Sequence, residues 1–246
     1  MYLFFLFLIF TLNCCNKFNP EPENKAKFVS SDGVVLVGKF VPPKTNDKLT
    51  FIMLHGLASS KIEWFNFASK LSEKGYGYFI YDLRGHGESN KKTNDQEVNM
   101  KYFFQTGHNS DWEKMIDDLN YAVKYLRHKG IKKDKIGIIG ASLGANISLI
   151  YSAKHKFIPV VILLSPGWSY AGLTVDKAIK EYGERPILIA VSVGDKYAYD
   201  SSVVMFDISR KNKSKVEFFV NNGISHGVQM FDGKFEYKII DWIEHL

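Results

Sequence analysis

The sequence has little cysteine, little arginine and no pattern typical of a metal site. The two cysteines of the 246-residue chain are adjacent, at Cys14 and Cys15. Neighbouring cysteines rarely pair with each other, so no disulfide framework is expected in the body of the chain. No CxxC or HExxH pattern occurs and the seven histidines are dispersed. We therefore predict that the protein binds no metal.

The positive charge of the chain is carried almost entirely by lysine. The formal net charge is +6, and four of the 32 basic residues are arginine. A protein that reads nucleic acid or phosphate groups is expected to cluster its arginines, because the planar guanidinium binds phosphate with two hydrogen bonds. The scattered lysines instead indicate a solvated surface, so no nucleic-acid partner is predicted.

The amino terminus differs in composition from the rest. The segment from Tyr2 to Leu12 is almost wholly apolar, which is shorter than the roughly 20 residues of a membrane-spanning helix but typical of a signal-peptide core. With the cysteine pair, residues 1–15 resemble a bacterial lipoprotein signal, with Leu12 three positions before Cys15. Lipid, such as palmitate, is expected on Cys15 or, in the other register, on Cys14. An uncleaved signal anchor and an ordinary secretory signal are the alternatives, so the protein is expected to be exported and membrane-associated, or else secreted or periplasmic.

The remainder of the chain is predicted to form a tether and one domain. Residues 16–27 are polar with two prolines and predict a tether, so the folded domain is expected to span 28–246. A hairpin around residues 31–33 opens that domain, and apolar strands then alternate with amphipathic helices. Such alternation predicts an α/β fold in which a mostly parallel sheet is covered by helices on both faces.

One strand-to-helix turn has the spacing of a nucleophile elbow. It reads Gly140-Ala141-Ser142-Leu143-Gly144, the G-x-S-x-G pattern in which a sharp turn holds the serine hydroxyl above the sheet. Glycines on either side avoid a collision of side chains with the backbone. A generic glycine-containing turn is one alternative, and a dinucleotide-binding loop is another. The second is disfavoured because the unit lies mid-chain and no acidic residue ends the next strand.

A nucleophilic serine needs a base, and the base needs an acid to orient it. In a parallel sheet these groups lie just beyond the carboxyl ends of later strands. Asp195 follows the strand predicted at 187–193, and His226 lies in the loop after the last strand. Ser142, Asp195 and His226 are therefore the predicted catalytic residues. Asp200 and Asp176 are the rival acids.

These motifs together resemble the α/β-hydrolase superfamily over about residues 28–246. They are HGLASS, YDLRGHGES, GASLGA and SHG, in the order typical of that family. The resemblance implies a three-layer fold with a central, roughly eight-stranded sheet and a triad that needs no cofactor. It also implies an oxyanion hole formed by the backbone N–H groups of Leu57 and Leu143, with His55 a structural residue of the loop. Residues 82–89 are expected to form a structural turn beside the site.

The same resemblance bears on access to the site. Only about twenty residues, 165–185, stand where related enzymes insert a cap, so no separate cap domain is expected. Residues 90–109 form the longest irregular segment, either a packed loop or a small flap over the site. Trp168 and Tyr170 are candidates for the mouth of the site.

The predicted function is that of a serine hydrolase that cleaves carboxylic ester-type bonds of small-molecule substrates through an acyl-enzyme, with no cofactor and no protein partner implied. The same triad could instead serve an acyltransferase, a peptidase, or lyase or perhydrolase chemistry, because fold does not fix reaction. The other alternative is a non-catalytic, membrane-tethered binding protein on a hydrolase scaffold.

Overall fold

The computed structural model describes residues 24–246. The predicted signal, with Cys14 and Cys15, and residues 16–23 of the predicted tether lie outside the described residues. The first strand begins at Lys25, so residue 28 is too late as the start of the folded part. The cause is visible in the burial, because Ala26 and Phe28 are buried while Lys27 between them is exposed. The lysines and the nearby prolines concealed this alternation in the sequence.

One nine-stranded sheet organises the described chain. Two short strands, β8 (Ser169–Tyr170) and β9 (Leu173–Thr174), form a separate sheet. The strands of the large sheet are, in chain order, β1 (Lys25–Val29), β2 (Val34–Val41), β3 (Thr50–Leu54), β4 (Gly77–Tyr81), β5 (Lys91–Lys92), β6 (Ile136–Ala141), β7 (Val161–Leu164), β10 (Ile187–Ser192) and β11 (Val216–Asn221). The order across the sheet is β1-β2-β4-β3-β6-β7-β10-β11, and the two-residue strand β5 pairs with β2.

The sheet is mostly parallel. β1 and β2 form the predicted antiparallel hairpin, β2 is also antiparallel to β4, and every neighbouring pair from β4 to β11 is parallel. The parallel strands β3, β4, β6, β7 and β10 are buried along their whole length, as expected where helices cover both faces. The carboxyl ends of these strands therefore meet at one edge, where the site lies.

Helices cover both faces of the sheet. They are α1 (Phe65–Glu73), α2 (Asp111–His128), α3 (Leu143–Lys154), α4 (Asp176–Glu181), α5 (Lys196–Lys211) and α6 (Phe235–Glu244). Side chains of α2, α3, α4 and α5 belong to one apolar cluster, and those of α1 and α6 to a second on the opposite face. This is the predicted three-layer α/β arrangement. None of the helices between residues 24 and 246 is both long and apolar enough to span a bilayer.

The segment 165–185 contains more structure than its sequence indicated. Besides α4 it forms a second, two-stranded sheet in which β8 (Ser169–Tyr170) pairs with β9 (Leu173–Thr174). The turn residues Ala171 and Gly172 have φ of 49° and 79°, and two consecutive positive φ angles are typical of a tight hairpin turn that matches strand twist. The segment in which no cap domain was expected thus forms a small hairpin and the helix α4.

Candidate active site

Ser142 lies at the junction of β6 and α3 in a strained conformation. Its φ and ψ are 53° and −118°, a region that residues with a Cβ rarely adopt and that costs about 1–3 kcal/mol. The backbone on either side is held, because Ser142 N–H donates to Leu164 O (2.8 Å) and Ser142 O accepts from Ala145 N–H (2.9 Å). The turn therefore has the geometry expected of a nucleophile elbow.

Gly140 and Gly144 allow the sharp turn because there is no room for a side chain at either position. A Cβ on Gly140 would lie 2.2 Å from Gly144 O, and one on Gly144 would lie 2.3 Å from Leu54 O. Both contacts are with backbone and cannot be relieved by a rotamer change. The glycines thus let α3 begin directly against β3 and β6, which brings the first helical N–H, that of Leu143, beside the serine.

Asp195 and His226 are joined by a short hydrogen bond. Asp195 immediately precedes α5 and His226 lies in the loop after β11. The Nδ1 atom of His226 is 2.6 Å from Oδ2 of Asp195. Of the rival acids, Asp200 lies within α5, and Asp176 begins α4, where its carboxylate pairs with Lys180 Nζ (2.7 Å).

The loop that carries His226 is fixed to the elbow by a residue that sequence reasoning missed. Ser165 directly follows β7, and its Oγ accepts a hydrogen bond from Gly227 N–H (2.9 Å). A Cβ on Gly227 would lie 3.3 Å from Cβ of Ala141, so the loop passes close to the residue before Ser142. The sequence offered one signal for this role: Ser165 directly follows the strand next to β6, and therefore lies at the same sheet edge as the predicted triad.

Ser142 and His226 share a neighbour, Tyr170. Across the described residues no hydrogen bond joins Ser142 to His226, and such contacts are often long before substrate binds. The Tyr170 ring is half-buried and meets the His226 ring edge-on, with centroids 6.3 Å apart. Burial and the Asp195 charge raise the pKa of the Tyr170 phenol, and the nearby Ser142 hydroxyl opposes the shift. The phenol is therefore neutral at ordinary pH and lies beside the nucleophile.

The loop after β3, residues 55–59, passes next to Ser142. A Cβ on Gly56 would lie 3.5 Å from the Ser142 Cβ. Most N–H groups of this loop already have acceptors: Gly56 N–H donates to Glu63 (3.0 Å), Ala58 N–H to His86 Nε2 (3.3 Å) and Ser59 N–H to Gly56 O (3.2 Å). In the described part of the chain, Leu57 N–H has no such acceptor.

Glu63 anchors this loop. Its spacing from Ser60 predicts a capping box, in which the Glu63 side chain would reach back to Ser60. Its carboxylate instead accepts hydrogen bonds from Gly56 N–H (3.0 Å) and the Ser59 hydroxyl, while Ser60 Oγ caps Ile62 N–H (3.4 Å). Burial raises the pKa of Glu63, and its hydrogen bonds with the Ser59 hydroxyl and Gly56 N–H oppose that shift.

Two buried histidines, His55 and His86, form hydrogen bonds that fix the loop at residues 55–59. His55 Nε2 accepts from Leu83 N–H (2.9 Å), and its Nδ1 lies 2.7 Å from Gly56 O. Burial and the neighbouring His86 lower the pKa of His55 to about 4, so its ring is neutral at pH 7. Burial also lowers the pKa of His86. These contacts agree with the structural role expected for His55.

The turn at residues 82–89 is built on buried ion pairs. Arg84 is almost fully buried and binds Asp118 through two hydrogen bonds of 2.7 Å, and Asp32 through two of 2.9 and 3.0 Å. Asp82 at the start of the turn pairs with Lys61 Nζ (2.6 Å). These pairs join the turn to α2, to the β1–β2 hairpin and to the segment before α1, so the turn supports the edge of the sheet on which the site lies.

Comparison with known proteins identifies the class to which this fold and site belong. Residues 50–185 match the family model described as the alpha/beta hydrolase fold. The match covers more than half of the chain, so the protein belongs to the α/β-hydrolase fold family. The uncharacterized protein YfhR of Salmonella typhimurium is 24% identical over an alignment of 249 positions, which covers 88% of this chain and 78% of YfhR.

Solved structures share the fold at low sequence identity. The esterase Pf2001 of Pyrococcus furiosus superimposes with a TM-score of 0.70 at 19% identity, covering 90% of this chain and 91% of Pf2001. The esterase RhEst1 of Rhodococcus sp. ECU1013 gives a TM-score of 0.64 at 16% identity, covering 91% of this chain and 99% of RhEst1. The predicted fold class is thereby confirmed, and membership of this family supports a hydrolase.

Proposed function

We propose that the protein is a serine hydrolase that cleaves carboxylic esters through Ser142, His226 and Asp195. The observation that carries the proposal is the 2.6 Å hydrogen bond between His226 Nδ1 and Asp195 Oδ2, formed at the same sheet edge as the strained Ser142. With Nδ1–H donated to the carboxylate, Nε2 of the neutral ring is left as the base. The esterase structures that share the fold favour an ester substrate over other acyl compounds.

The reaction follows from these roles. His226 Nε2 takes the Ser142 hydroxyl proton as the serine oxygen attacks the ester carbonyl, and the carbonyl oxygen becomes negative. Protonated His226 then gives its proton to the departing alcohol, which leaves an acyl-serine. Water attacks that acyl group with His226 again as the base, and the acid is released.

Leu57 and Leu143 supply the proposed oxyanion hole. Leu57 N–H lacks an acceptor within the described part of the chain, in a loop where its neighbours are engaged. Leu143 is the first residue of α3, and the first N–H groups of a helix have no partner within it and carry the positive end of its dipole. Two such donors aimed at a developing oxyanion stabilise the transition state by several kcal/mol.

Labelling with a fluorophosphonate probe tests the proposal. The full-length chain, purified in a mild detergent, is compared with Ser142→Ala and His226→Ala, and with two controls at exposed positions, Ser69→Ala and His108→Ala. We expect the parent and both controls to be labelled and to hydrolyse p-nitrophenyl acetate, and the two site variants to do neither. A folded parent that is not labelled would favour the non-catalytic binding protein. Labelling with acyl transfer to an added alcohol in place of hydrolysis would favour the acyltransferase.

We also propose that the protein is exported and anchored by lipid on Cys15 or Cys14. The support is the apolar segment from Tyr2 to Leu12 followed directly by the cysteine pair. Mass spectrometry of the mature amino terminus distinguishes the alternatives. A terminal lipid-modified cysteine is expected. An intact residue 1 would indicate a signal anchor, and a cleaved, unmodified terminus would indicate secretion.

A further inference from the structure

The hairpin formed by β8 and β9 is held rigidly beside the triad. The Tyr197 hydroxyl bonds both the N–H and the carbonyl of Ser169 (2.9 Å each). Ser201 Oγ accepts from Trp168 N–H (2.9 Å), and Asn146 Nδ2 donates to Leu173 O (2.9 Å). These anchors come from α3 and α5, the two helices that follow Ser142 and Asp195. Hydrogen bonds therefore tie the hairpin to the helices that begin at the elbow and at the acid.

None of these anchors uses the side chain of Tyr170, which points into the site. Its ring packs edge-on against His226, 6.3 Å between centroids, and against Tyr197, 5.6 Å between centroids. Its hydroxyl lies 3.4 Å from Ser165 O. A Cβ on Gly167 would lie 2.5 Å from Cζ of Tyr170, so a glycine at that position is what lets the ring lie there. The ring therefore packs against His226, Tyr197 and Gly167.

The position of this ring decides how much space a substrate has. A group bound to Ser142 must occupy the volume next to the serine oxygen and the His226 ring, and the Tyr170 ring packs edge-on against that histidine. The hairpin that carries this ring is hydrogen-bonded to α3 and α5, so we expect the ring to stay in place and to meet a longer chain on the substrate.

Building on the proposed ester hydrolase, we propose that Tyr170 sets the size limit for the substrate group that binds beside Ser142, restricting the enzyme to short-chain esters. The ring acts as a wall of the pocket and takes no part in proton transfer. Removing it should extend the pocket without disturbing the triad, because the hairpin is anchored through backbone groups and through Tyr197, Ser201 and Asn146.

Two series of esters measure the limit. One varies the acyl group of p-nitrophenyl esters from acetate through butyrate and hexanoate to octanoate, and the other varies the alcohol of acetate esters from ethyl to octyl. The full-length parent is compared with Tyr170→Ala, Tyr170→Leu and Tyr170→Phe. Tyr237→Ala is the matched control, since Tyr237 is exposed on α6 and its ring contacts Lys70.

One methylene in an apolar pocket changes kcat/KM by about 10- to 200-fold. In at least one series, Tyr170→Ala and Tyr170→Leu should therefore raise the ratio of kcat/KM for the six-carbon over the two-carbon group by about tenfold or more. Tyr170→Phe and Tyr237→Ala should keep the parent profile. Tyr170→Leu retains an apolar side chain on the strand, so it carries the test if Tyr170→Ala does not fold.

The outcomes separate this inference from the proposed function. A parent that is labelled by the fluorophosphonate while every Tyr170 variant keeps the parent length profile in both series would overturn the size limit alone. A shifted profile in Tyr170→Phe would also overturn it, because the hydroxyl and not the ring would then be responsible. A folded parent that is neither labelled nor active on any ester would overturn the proposed function and, with it, this inference.

Discussion

The strained backbone at Ser142 makes a specific prediction about stability. With φ of 53° and ψ of −118°, a residue with a Cβ is expected to cost about 1–3 kcal/mol, whereas glycine adopts positive φ without this penalty. Glycine in turn makes the unfolded chain more flexible, which costs about 0.5–1 kcal/mol. We expect the free energy of unfolding of Ser142→Gly to exceed that of Ser142→Ala by about 1 kcal/mol.

The comparison of these two variants isolates the strain. Both lack the hydroxyl and are inactive under the proposed function, but Ser142→Ala retains the Cβ that causes the strain. For a domain of this size, 1 kcal/mol corresponds to about 2–4 °C in the melting temperature, which circular dichroism of the detergent-purified full chain can resolve. Equal melting temperatures, or a lower one for Ser142→Gly, would refute the idea that the elbow holds stored strain.

Three further predictions concern the loop anchor, the acid and the response to low pH. Glu63→Gln leaves one acceptor oxygen for two donors, Gly56 N–H and the Ser59 hydroxyl, so the loop that carries Leu57 should lose part of its support. We expect kcat on short-chain esters to fall about 10- to 100-fold with a smaller change in KM. Initial rates unchanged from the parent would contradict this role. Asp195→Asn replaces the carboxylate with an amide whose Nδ2 can donate to His226 Nδ1 and so favour the wrong tautomer. We expect kcat to fall about 10⁴-fold with little change in melting temperature; a loss below tenfold would point to another acid. Burial alone would raise the pKa of Asp32, but hydrogen bonds from Arg84 outweigh it and hold the pKa well below its usual value. Asp32 therefore binds more protons in the unfolded chain than in the folded chain as the pH falls below about 4, and the stability that this carboxylate contributes is lost there. Asp32→Asn should lose less stability than the parent between about pH 5 and pH 3, as measured by urea midpoints, and identical losses would show that this carboxylate does not contribute.

The elbow and the helices were predictable because their signals are local. The spacing of Gly140, Ser142 and Gly144 requires only that a buried strand be followed by a helix. The apolar positions of α2 repeat with the helical period over the whole element, so its face was evident before the fold was known. The rule that parallel strands end at one edge then brought Asp195 and His226 into the same prediction.

The hairpin that carries Tyr170 was not predictable in the same way. Its strands are two residues long, too short for an alternation of apolar and polar side chains to be recognised. The turn Ala171-Gly172 is a weak signal, because alanine does not favour the positive φ that it adopts here. The hairpin forms because distant side chains on α3 and α5 satisfy its backbone groups.

Glu63 shows a related difficulty. Its spacing from Ser60 is that of a capping box, yet the carboxylate selects Gly56 N–H and the Ser59 hydroxyl. The same applies to Ser165, whose partner Gly227 is 62 positions away in the chain. Which of several donors a carboxylate or hydroxyl meets depends on how two loops are juxtaposed, and no local pattern encodes that.

The amino-acid sequence by itself thus determined the alternation of the longer strands and helices, the sharp turn at Ser142 and the three strand ends that carry the candidate triad. These depend on periodicity and turn chemistry within a few neighbouring residues. Only the tertiary structure decided which side chains surround the triad, namely Tyr170 beside the nucleophile, Glu63 beneath the loop of Leu57, and Ser165 against the loop of His226. The physical reason is that hydrogen bonds and ring contacts between segments far apart in the chain form only when the sheet brings their loops to one edge.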